Sequence, residues 1–382
     1  MGFGRIRGMK KVFLGLGLFL IILAGYFYWN GKIKILNPKG TNPSALWASP
    51  LDREASIKVF GFLPTWMIGK TREYTNEINY LIFLGVEVDE KGNLMWDGQS
   101  KKINNEIYLK QKELIWQNGG ENILGIKLFT DEKIDNLMAS TEAKDNLINQ
   151  LKTLYQTEKF DGVNVDFEYQ GNPTAVLSEE MVGFLAKLKE SDLGEISLDV
   201  FVNTINKGSV EQINGLINSV DNLIIMAYDF HRPGVDYAGA VAPIESKPGE
   251  RSIMEVVEKI LSLNINKEKI IMAYPLYGYE WKTYNGDFEA PIKRGWYQMA
   301  SWNRVGELIK EKQLKTNWDE LSMAPWVAFE EGGEIHQIYF ENEKSLKAKL
   351  DLVKQNQLGG VGFWALGYER EDEGIWELVM YN

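Results

Sequence analysis

The sequence predicts an α/β fold of the (β/α)8 type, a TIM barrel, and three features support this prediction. Eight short β-rich segments alternate with longer amphipathic segments, and this alternation is typical of parallel strands joined by helical crossovers. The chain has 382 residues, more than the roughly 250 residues of a typical closed barrel. The surplus falls after the seventh strand, where a stretch rich in Trp, Tyr, Gly and Pro predicts a small α+β insertion at about 279–341.

The strands and helices follow from composition and apolar periodicity. The eight predicted strands are Ile57–Phe62, Asn79–Val86, Ile123–Phe129, Gly162–Phe167, Ile196–Val202, Leu223–Tyr228, Ile270–Tyr274 and Val361–Ala365. Helices are predicted at Lys102–Trp116, Lys144–Thr157, Ser178–Glu190, Ser252–Leu263 and Glu343–Gln355. Within the insertion, a hairpin is expected from Trp326 to Phe340, with its turn around the two glycines that follow Glu331.

An uncharged segment lies near the amino terminus, from Val12 to Trp29. At about 1.5 Å per residue, a helix of this length nearly spans the roughly 30 Å hydrocarbon layer of a membrane. Basic residues within 1–11 favour a cytoplasmic start. We therefore expect a single-pass membrane anchor at 12–29, with the following chain outside the cytoplasm. The alternative is a cleaved signal and a secreted protein, although no small-x-small cleavage site is evident.

The segment 30–56 has the composition of a linker. It contains Pro38, Pro43 and Pro50 together with Gly, Asn and Ser, and it has little apolar periodicity. We therefore expect the barrel domain, with its insertion, to occupy 57–382.

Composition excludes several classes of function. The 42 basic and 53 acidic residues give a net charge of −11, which repels nucleic-acid phosphates, so no nucleic-acid partner is expected. There is no cysteine, which excludes disulfides, thiolate nucleophiles and cysteine-ligated metals. The sequence has only two histidines and no phosphate-binding glycine loop, so neither a metal site nor a cofactor is predicted.

A column of polar side chains lies on the fourth predicted strand. Alternate residues of a strand share a face, so Asn164, Asp166 and Glu168 point one way and the apolar residues between them point the other. The polar face would then look into the barrel near the carboxyl end of the strand, where barrel enzymes place their catalytic groups. Two carboxyl groups this close favour one neutral acid beside an ionised partner. The alternatives are a solvated acidic strand end or a cation-binding loop, but the spacing differs from that of a calcium loop.

These residues resemble a known family. Residues 161–168, Asp-Gly-Val-Asn-Val-Asp-Phe-Glu, resemble the fourth-strand signature Asp-x-x-Asp-x-Asp-x-Glu of family 18 glycoside hydrolases, which include chitinases. Met226–Asp229 resembles the sixth-strand motif of that family, and 274–281 and 360–367 resemble its seventh and eighth strands. The sequences of these motifs are most similar to those of the bacterial spore-germination type of this family, and the resemblance covers about 57–369.

The resemblance implies a retaining glycosidase that uses substrate assistance, so that the acetamido oxygen of the sugar attacks the anomeric carbon. Glu168 would protonate the glycosidic oxygen and later activate water. Asp166 would orient the acetamido group and stabilise the cation that develops on it. Tyr228 would hold the acetamido carbonyl through its hydroxyl group.

The resemblance also implies a set of residues that bind the substrate. Asp229 would contact the sugar at the cleavage subsite, Trp364 would form the apolar floor of that subsite, and Tyr277 belongs to the seventh-strand motif beside it. Asp161 is out of phase with the polar column, and the resemblance places it near the site as a structural acid. Asn164 stands where chitinases more often have an aspartate, so we expect one negative charge fewer and a more acidic Asp166.

The expected substrate is a glycan with β-1,4 linkages next to N-acetylglucosamine, either peptidoglycan or a chitin-like chain. The protein would act as a monomer, held on the membrane by its amino-terminal segment. The alternative function is a non-catalytic, lectin-like barrel at the cell surface, although relatives of that kind typically lose the glutamate that Glu168 represents. Core or loop packing is the default interpretation of five other tryptophans, namely Trp66, Trp96, Trp281, Trp296 and Trp326.

Overall fold

A computed structural model of the chain describes residues 57–381, and it confirms the predicted (β/α)8 barrel. The eight barrel strands correspond one to one with the predicted strands. They are β1 (Lys58–Pro64), β2 (Tyr80–Val88), β4 (Glu121–Leu128), β5 (Gly162–Phe167), β6 (Glu195–Phe201), β7 (Asn222–Met226), β8 (Ile270–Pro275) and β14 (Gly360–Trp364). A short strand, β3 (Leu94–Met95), pairs antiparallel with the end of β2.

Parallel pairing closes the barrel. The strands follow the order β1, β14, β8, β7, β6, β5, β4 and β2, and β2 then pairs with β1 in parallel. Because every strand has the same direction, all eight carboxyl ends meet at one mouth. The end of β5 therefore lies beside the ends of β4 and β6, and the ends of β7 and β8 follow.

Helices surround the barrel. The α-helices of the described residues are α1 (Glu106–Gln117), α2 (Asp131–Ala139), α3 (Thr141–Glu158), α4 (Glu179–Lys189), α5 (Val202–Lys207), α6 (Val210–Ser219), α7 (Ile253–Ser262), α8 (Trp302–Lys312), α9 (Glu343–Gln355) and α10 (Gly374–Tyr381). The five predicted helices are present as α1, α3, α4, α7 and α9. The others are 6 to 11 residues long and were not predicted.

Alternate strand residues divide the core into two layers. One layer lies inside the barrel and consists of Phe60, Phe62, Ile82, Ile123, Ile224, Ile271 and Ala273. The larger layer lies between strands and helices, and it contains the intervening residues of the same strands. On β5 and β6 the intervening apolar residues belong to the larger layer, whereas the opposite face is polar. The interior of the barrel is therefore apolar around most of its circumference and polar where β5 meets β6.

The insertion forms a second sheet of five antiparallel strands. They are β9 (Tyr277–Thr283), β10 (Ile292–Ser301), β11 (Asn317–Asp319), β12 (Ala324–Glu331) and β13 (Glu334–Tyr339), in the spatial order β10, β9, β13, β12, β11. The predicted hairpin is present as β12 and β13, and Glu331 pairs with Glu334 across its turn. Gly332 and Gly333 have φ values of 60° and 79°, which a two-residue hairpin turn requires and which glycine adopts without strain.

The membrane anchor or signal expected at 12–29, the basic segment 1–11 and the linker 30–56 all lie outside the described residues. Within 57–381, no helix has the length and apolar character needed to cross a membrane.

Candidate active site

The polar column of β5 lies at the carboxyl end of the barrel. Asn164 and Asp166 are buried, and Glu168, the first residue after the strand, is partly exposed. The apolar residues between them pack toward the helices, and the Phe167 ring stacks on Phe184 of α4 at 6.3 Å between ring centroids. The column thus runs from the barrel interior to the mouth, and only its last carboxyl group is open to solvent.

Asn164 is held by the neighbouring strand. Its Nδ2 donates to Ser197 Oγ at 3.1 Å and to Asp199 Oδ1 at 3.0 Å, both on β6. Asn164 Oδ1 and Asp166 Oδ1 are buried and have no hydrogen-bond partner. Asn164 therefore fixes a third carboxyl group, Asp199, beside the two that the sequence analysis identified.

The pKa values of the three acids are interdependent. Burial raises the pKa of Asp166 well above its ordinary value, and the negative charges of Asp199 and Glu168 raise it further, whereas Lys127 lowers it. Burial also raises the pKa of Asp199. The sequence analysis expected one negative charge fewer beside Asp166 because of Asn164. The structure restores that charge through Asp199, so the expected acidity of Asp166 has no basis in this arrangement.

Glu168 has the environment of an acid catalyst. Burial raises its pKa, and the charge of Asp229 adds to the effect. Two side chains oppose this shift and lower the pKa of Glu168, namely Gln170, whose Nε2 donates to Glu168 Oε2 at 2.5 Å, and the neighbouring Asp166. The raised pKa favours a neutral carboxylic acid at the mouth of the barrel, which is the form that can give a proton to a leaving group.

Tyr228 and Asp229 follow β7 and face the same mouth. Burial raises the pKa of Tyr228 well above its ordinary value, and the negative charges of Asp166 and Asp199 raise it further. The hydroxyl group therefore keeps the proton that it would donate in a hydrogen bond. Asp229 has a φ of 58°, in the left-handed region that aspartate adopts more readily than most residues. Its Oδ1 accepts hydrogen bonds from the Tyr277 hydroxyl at 2.5 Å and from the Tyr279 hydroxyl at 3.1 Å.

Aromatic side chains form the apolar side of the site. Trp364, the last residue of β14, packs on the inner layer of the barrel and stays partly exposed. Its ring lies edge-on to Phe62 at 6.0 Å and to Trp66 at 6.3 Å between centroids. Trp66 follows β1 and is 43% exposed, so it belongs to the mouth and not to the core. Trp281 and Trp326 are buried in the insertion, as the packing interpretation expects.

Asp161 is not at the site. It precedes β5, and its Oδ2 accepts from the backbone nitrogen of Asn122 at 2.8 Å and from the indole nitrogen of Trp116. At about 3.3 Å per residue, seven strand positions put it roughly 20 Å from Glu168, at the opposite end of the barrel. The structure thus brings the other seven predicted residues together and assigns Asp161 to the support of α1 and the start of β4.

Sequence reasoning did not identify Asp199, Ser197 or Tyr279 as part of the site. A signal for the first two exists, because Ser197 and Asp199 alternate with apolar residues on the fifth predicted strand, as Asn164 and Asp166 do on the fourth. Tyr279 lies in the seventh-strand motif, two residues after Tyr277, and so on the same side of β9. Among the described residues, no group of three acidic or histidine side chains is arranged to hold a metal ion.

Comparison with known proteins identifies the class to which this barrel and its acidic site belong. The chain is a glycoside hydrolase. Residues 66–369 match the model of Glycosyl hydrolases family 18, and the chain belongs to that family, which confirms the resemblance seen in its strand motifs.

Relatives in this family have low sequence identity. The chain is 21% identical over 346 residues to the Bacillus subtilis protein named Uncharacterized glycosylase YvbX, covering 85% of this chain and 92% of that one. It is 23% identical to human di-N-acetylchitobiase over 61% of this chain and 66% of the relative. The crystal structure of the Bacillus cereus spore cortex-lytic enzyme SleL matches with a TM-score of 0.68 and 20% identity, over 85% of this chain and 74% of that chain. Because this sequence identity is low, the structural match supports the fold alone.

Proposed function

We propose that this glycosidase cleaves β-1,4 linkages next to N-acetylglucosamine with retention of configuration, by substrate-assisted catalysis. One observation supports the proposal above others. Asp166 and Glu168 are carboxyl groups on one face of β5, and each affects the pKa of the other, while burial and their negative charges keep the proton on the Tyr228 hydroxyl. A neutral acid, a buried carboxyl group and a hydroxyl donor are the three groups that this mechanism requires.

In the proposed reaction, Glu168 gives its proton to the glycosidic oxygen as the bond to the anomeric carbon breaks. The acetamido oxygen of the same sugar forms the new bond to that carbon, so the protein supplies no nucleophile. Asp166 faces the positive charge that develops on the acetamido group, and the Tyr228 hydroxyl donates to its carbonyl oxygen. Glu168, now ionised, takes a proton from the water that opens the intermediate.

The remaining residues would bind the sugar. Trp364 offers an apolar surface for a pyranose ring, and Trp66 extends this surface toward solvent. Asp229, held by two tyrosine hydroxyls, offers a fixed acceptor to sugar hydroxyls. We also propose that the protein acts as a monomer, because the proposed reaction needs no residue from a second chain.

We propose a cell-wall glycan as the substrate, with chitin-like oligosaccharides as the alternative. The similarity of its strand motifs to the bacterial spore-germination type favours the first. The likeness to a di-N-acetylchitobiase favours the second. Attachment to the outer face of a membrane through 12–29 is part of the proposal, supported by the uncharged length of that segment and the basic residues before it.

The test compares wild type with Glu168→Gln on purified peptidoglycan and on N-acetylchitooligosaccharides, with products followed by mass spectrometry. Glu258→Gln is the matched control, because Glu258 is exposed on α7 outside the barrel. Turnover that is lost in Glu168→Gln and kept in Glu258→Gln supports the proposal. Binding of either glycan without turnover in wild type would instead indicate a lectin-like barrel.

A further inference from the structure

Asp199 is a buried carboxyl group inside the site that the proposed reaction does not use. Asn164 pairs with Ser197 in the parallel register of β5 and β6, so Asp199 stands on β6 where Asp166 stands on β5, two residues further along the same inner face. Its side chain is 3% exposed, and its Oδ1 is fixed by Asn164. Asp199 and Glu168 also line one small pocket next to the mouth.

The groups that face Asp199 are mostly negative or neutral. From β5 these are Asp166 and Glu168, and from the end of β7 it is Tyr228, whose proton stays on the hydroxyl. Positive charge comes from Lys127 on β4, which acts on Asp166 and is itself paired with Glu87 at 3.3 Å. Two buried carboxylates at paired positions of adjacent strands would repel each other strongly, because neighbouring strands lie only about 4.8 Å apart. If the two carboxyl groups share one proton, only one of them is charged and this repulsion is removed.

Unpartnered atoms support the presence of that proton. Asn164 Oδ1 and Asp166 Oδ1 are both buried acceptors without a donor. Leaving a buried polar atom unsatisfied is unfavourable, and a carboxyl proton is a donor that this face can supply. Asn164 cannot release a proton itself, since an amide does not titrate, but it orients the group that can.

We propose that Asp199 is a positioning residue that shares one proton with Asp166, with Asn164 holding Asp199 in place through its amide. The inference rests on the proposed function, in which Asp166 must be ionised when positive charge develops on the substrate. The proton then moves from Asp166 to Asp199, so that one carboxyl group of the pair is neutral and the other charged throughout. Asp199 thereby sets the pH at which the site becomes active.

Variants that remove, add or exchange carboxyl groups at positions 164 and 199 test this inference. Asp199→Asn removes the second carboxyl group, so the acidic limb of the pH profile of kcat should move down by about one to two pH units. Asn164→Asp adds a third carboxyl group beside Asp166 and Asp199 and should move the limb up by a similar amount. The double variant, Asn164→Asp with Asp199→Asn, exchanges the two groups across the strands and should return the limb close to its wild-type position. Ser197→Ala is the matched control, because it removes a hydrogen bond to the same Asn164 nitrogen without changing charge.

A purely structural role for Asp199 would give a different pattern. Asp199→Asn would then lower the melting temperature or kcat without moving the acidic limb, and the double variant would be no better than the single ones. That result overturns the inference. A limb that moves equally in Ser197→Ala also overturns it, because the cause would then be packing and not charge.

A second measurement keeps the inference separate from the proposed function. NMR titration of isotope-labelled aspartate carboxyls in the intact chain needs no substrate, and it should show the Asp166 pKa falling in Asp199→Asn. If Glu168→Gln retains turnover, the proposed function is wrong, but this titration still decides whether the two aspartates share a proton. An Asp166 titration that is the same in wild type and Asp199→Asn refutes the sharing, whatever the glycan.

Discussion

Replacing Tyr277 by phenylalanine tests how the insertion supports the site. Tyr277 donates to Asp229 at 2.5 Å, and Tyr279 donates to the same oxygen at 3.1 Å. Burial raises the pKa of Asp229, while these two donors and Arg232 lower it. A hydrogen bond to a charged group contributes about 1.5–3 kcal/mol, so its loss should raise the Asp229 pKa further.

The pH dependence of Tyr277→Phe follows from this shift. Because the folded-state pKa of Asp229 is raised, keeping the ionised form buried reduces stability at pH values above that pKa, and Tyr277 offsets part of the reduction. The variant should therefore be less stable than wild type at pH 8, and the difference should shrink as the pH falls through the folded-state pKa. With about 2.1 cal/mol/K of unfolding entropy per residue, 1.5–3 kcal/mol corresponds to a melting temperature lower by about 2–4 °C.

The assay is thermal unfolding of wild type and variant between pH 4 and pH 8, with KM measured on the glycan that is turned over. Tyr279→Phe is the internal comparison, and its effect should be smaller because its hydrogen bond is longer. A loss of melting temperature that is equal at pH 4 and pH 8 would refute the reasoning, since it would come from packing and not from the charge of Asp229.

Three further predictions concern the site and the core. Trp364→Ala should raise KM by about 10-fold or more, and Trp66→Ala should raise it less, because Trp66 has the more exposed ring. Tyr228→Phe should lower kcat by about 10²-fold with little change in KM, if its hydroxyl acts on the transition state. Lys349→Met should lower the unfolding free energy by about 3–5 kcal/mol, because Glu341 is then left buried without its partner at 2.8 Å.

Each of these has a result that contradicts it. Equal KM values for wild type and Trp364→Ala would exclude the apolar floor. A rise in KM at constant kcat in Tyr228→Phe would assign the hydroxyl to ground-state binding. For the buried ion pair, Glu341→Gln combined with Lys349→Met should recover much of the lost melting temperature, and failure to recover would point to packing of the lysine stem.

The fold was predictable because the barrel strands obey local rules. Inner residues such as Phe62 and Ile271 alternate with outer residues along each strand, and this period of two is visible without any tertiary contact. The hairpin was predictable for a related reason, since Gly332 and Gly333 supply the positive φ values of its turn. The pairing order of the insertion was not, because β9 pairs with β13, more than fifty residues away, and nothing local encodes that contact.

Strand spacing alone predicted only the part of the site that lies on one strand, and the family resemblance supplied the predicted residues on the other strands. Asn164, Asp166 and Glu168 are spaced for a shared face, and that face is the one at the mouth. Asp199 was missed because its significance depends on the register between β5 and β6, which sequence reasoning did not fix. Asp161 was misplaced for the opposite reason. Asp161 and Glu168 belong to one sequence motif, but an extended strand of about seven residues spans the barrel, so the two side chains lie at its opposite ends.

The junction between β8 and β9 is only one residue long, and it limits how this enzyme can be reshaped. Tyr277 and Tyr279 lie just beyond that junction, so the two hydroxyl groups that donate to Asp229 belong to the inserted sheet and not to the barrel. Anyone who trims the protein toward a minimal eight-stranded scaffold would remove those hydroxyls along with the inserted sheet. A shortened catalyst should accordingly keep β9 and its pairing with β13, and lose length only beyond them.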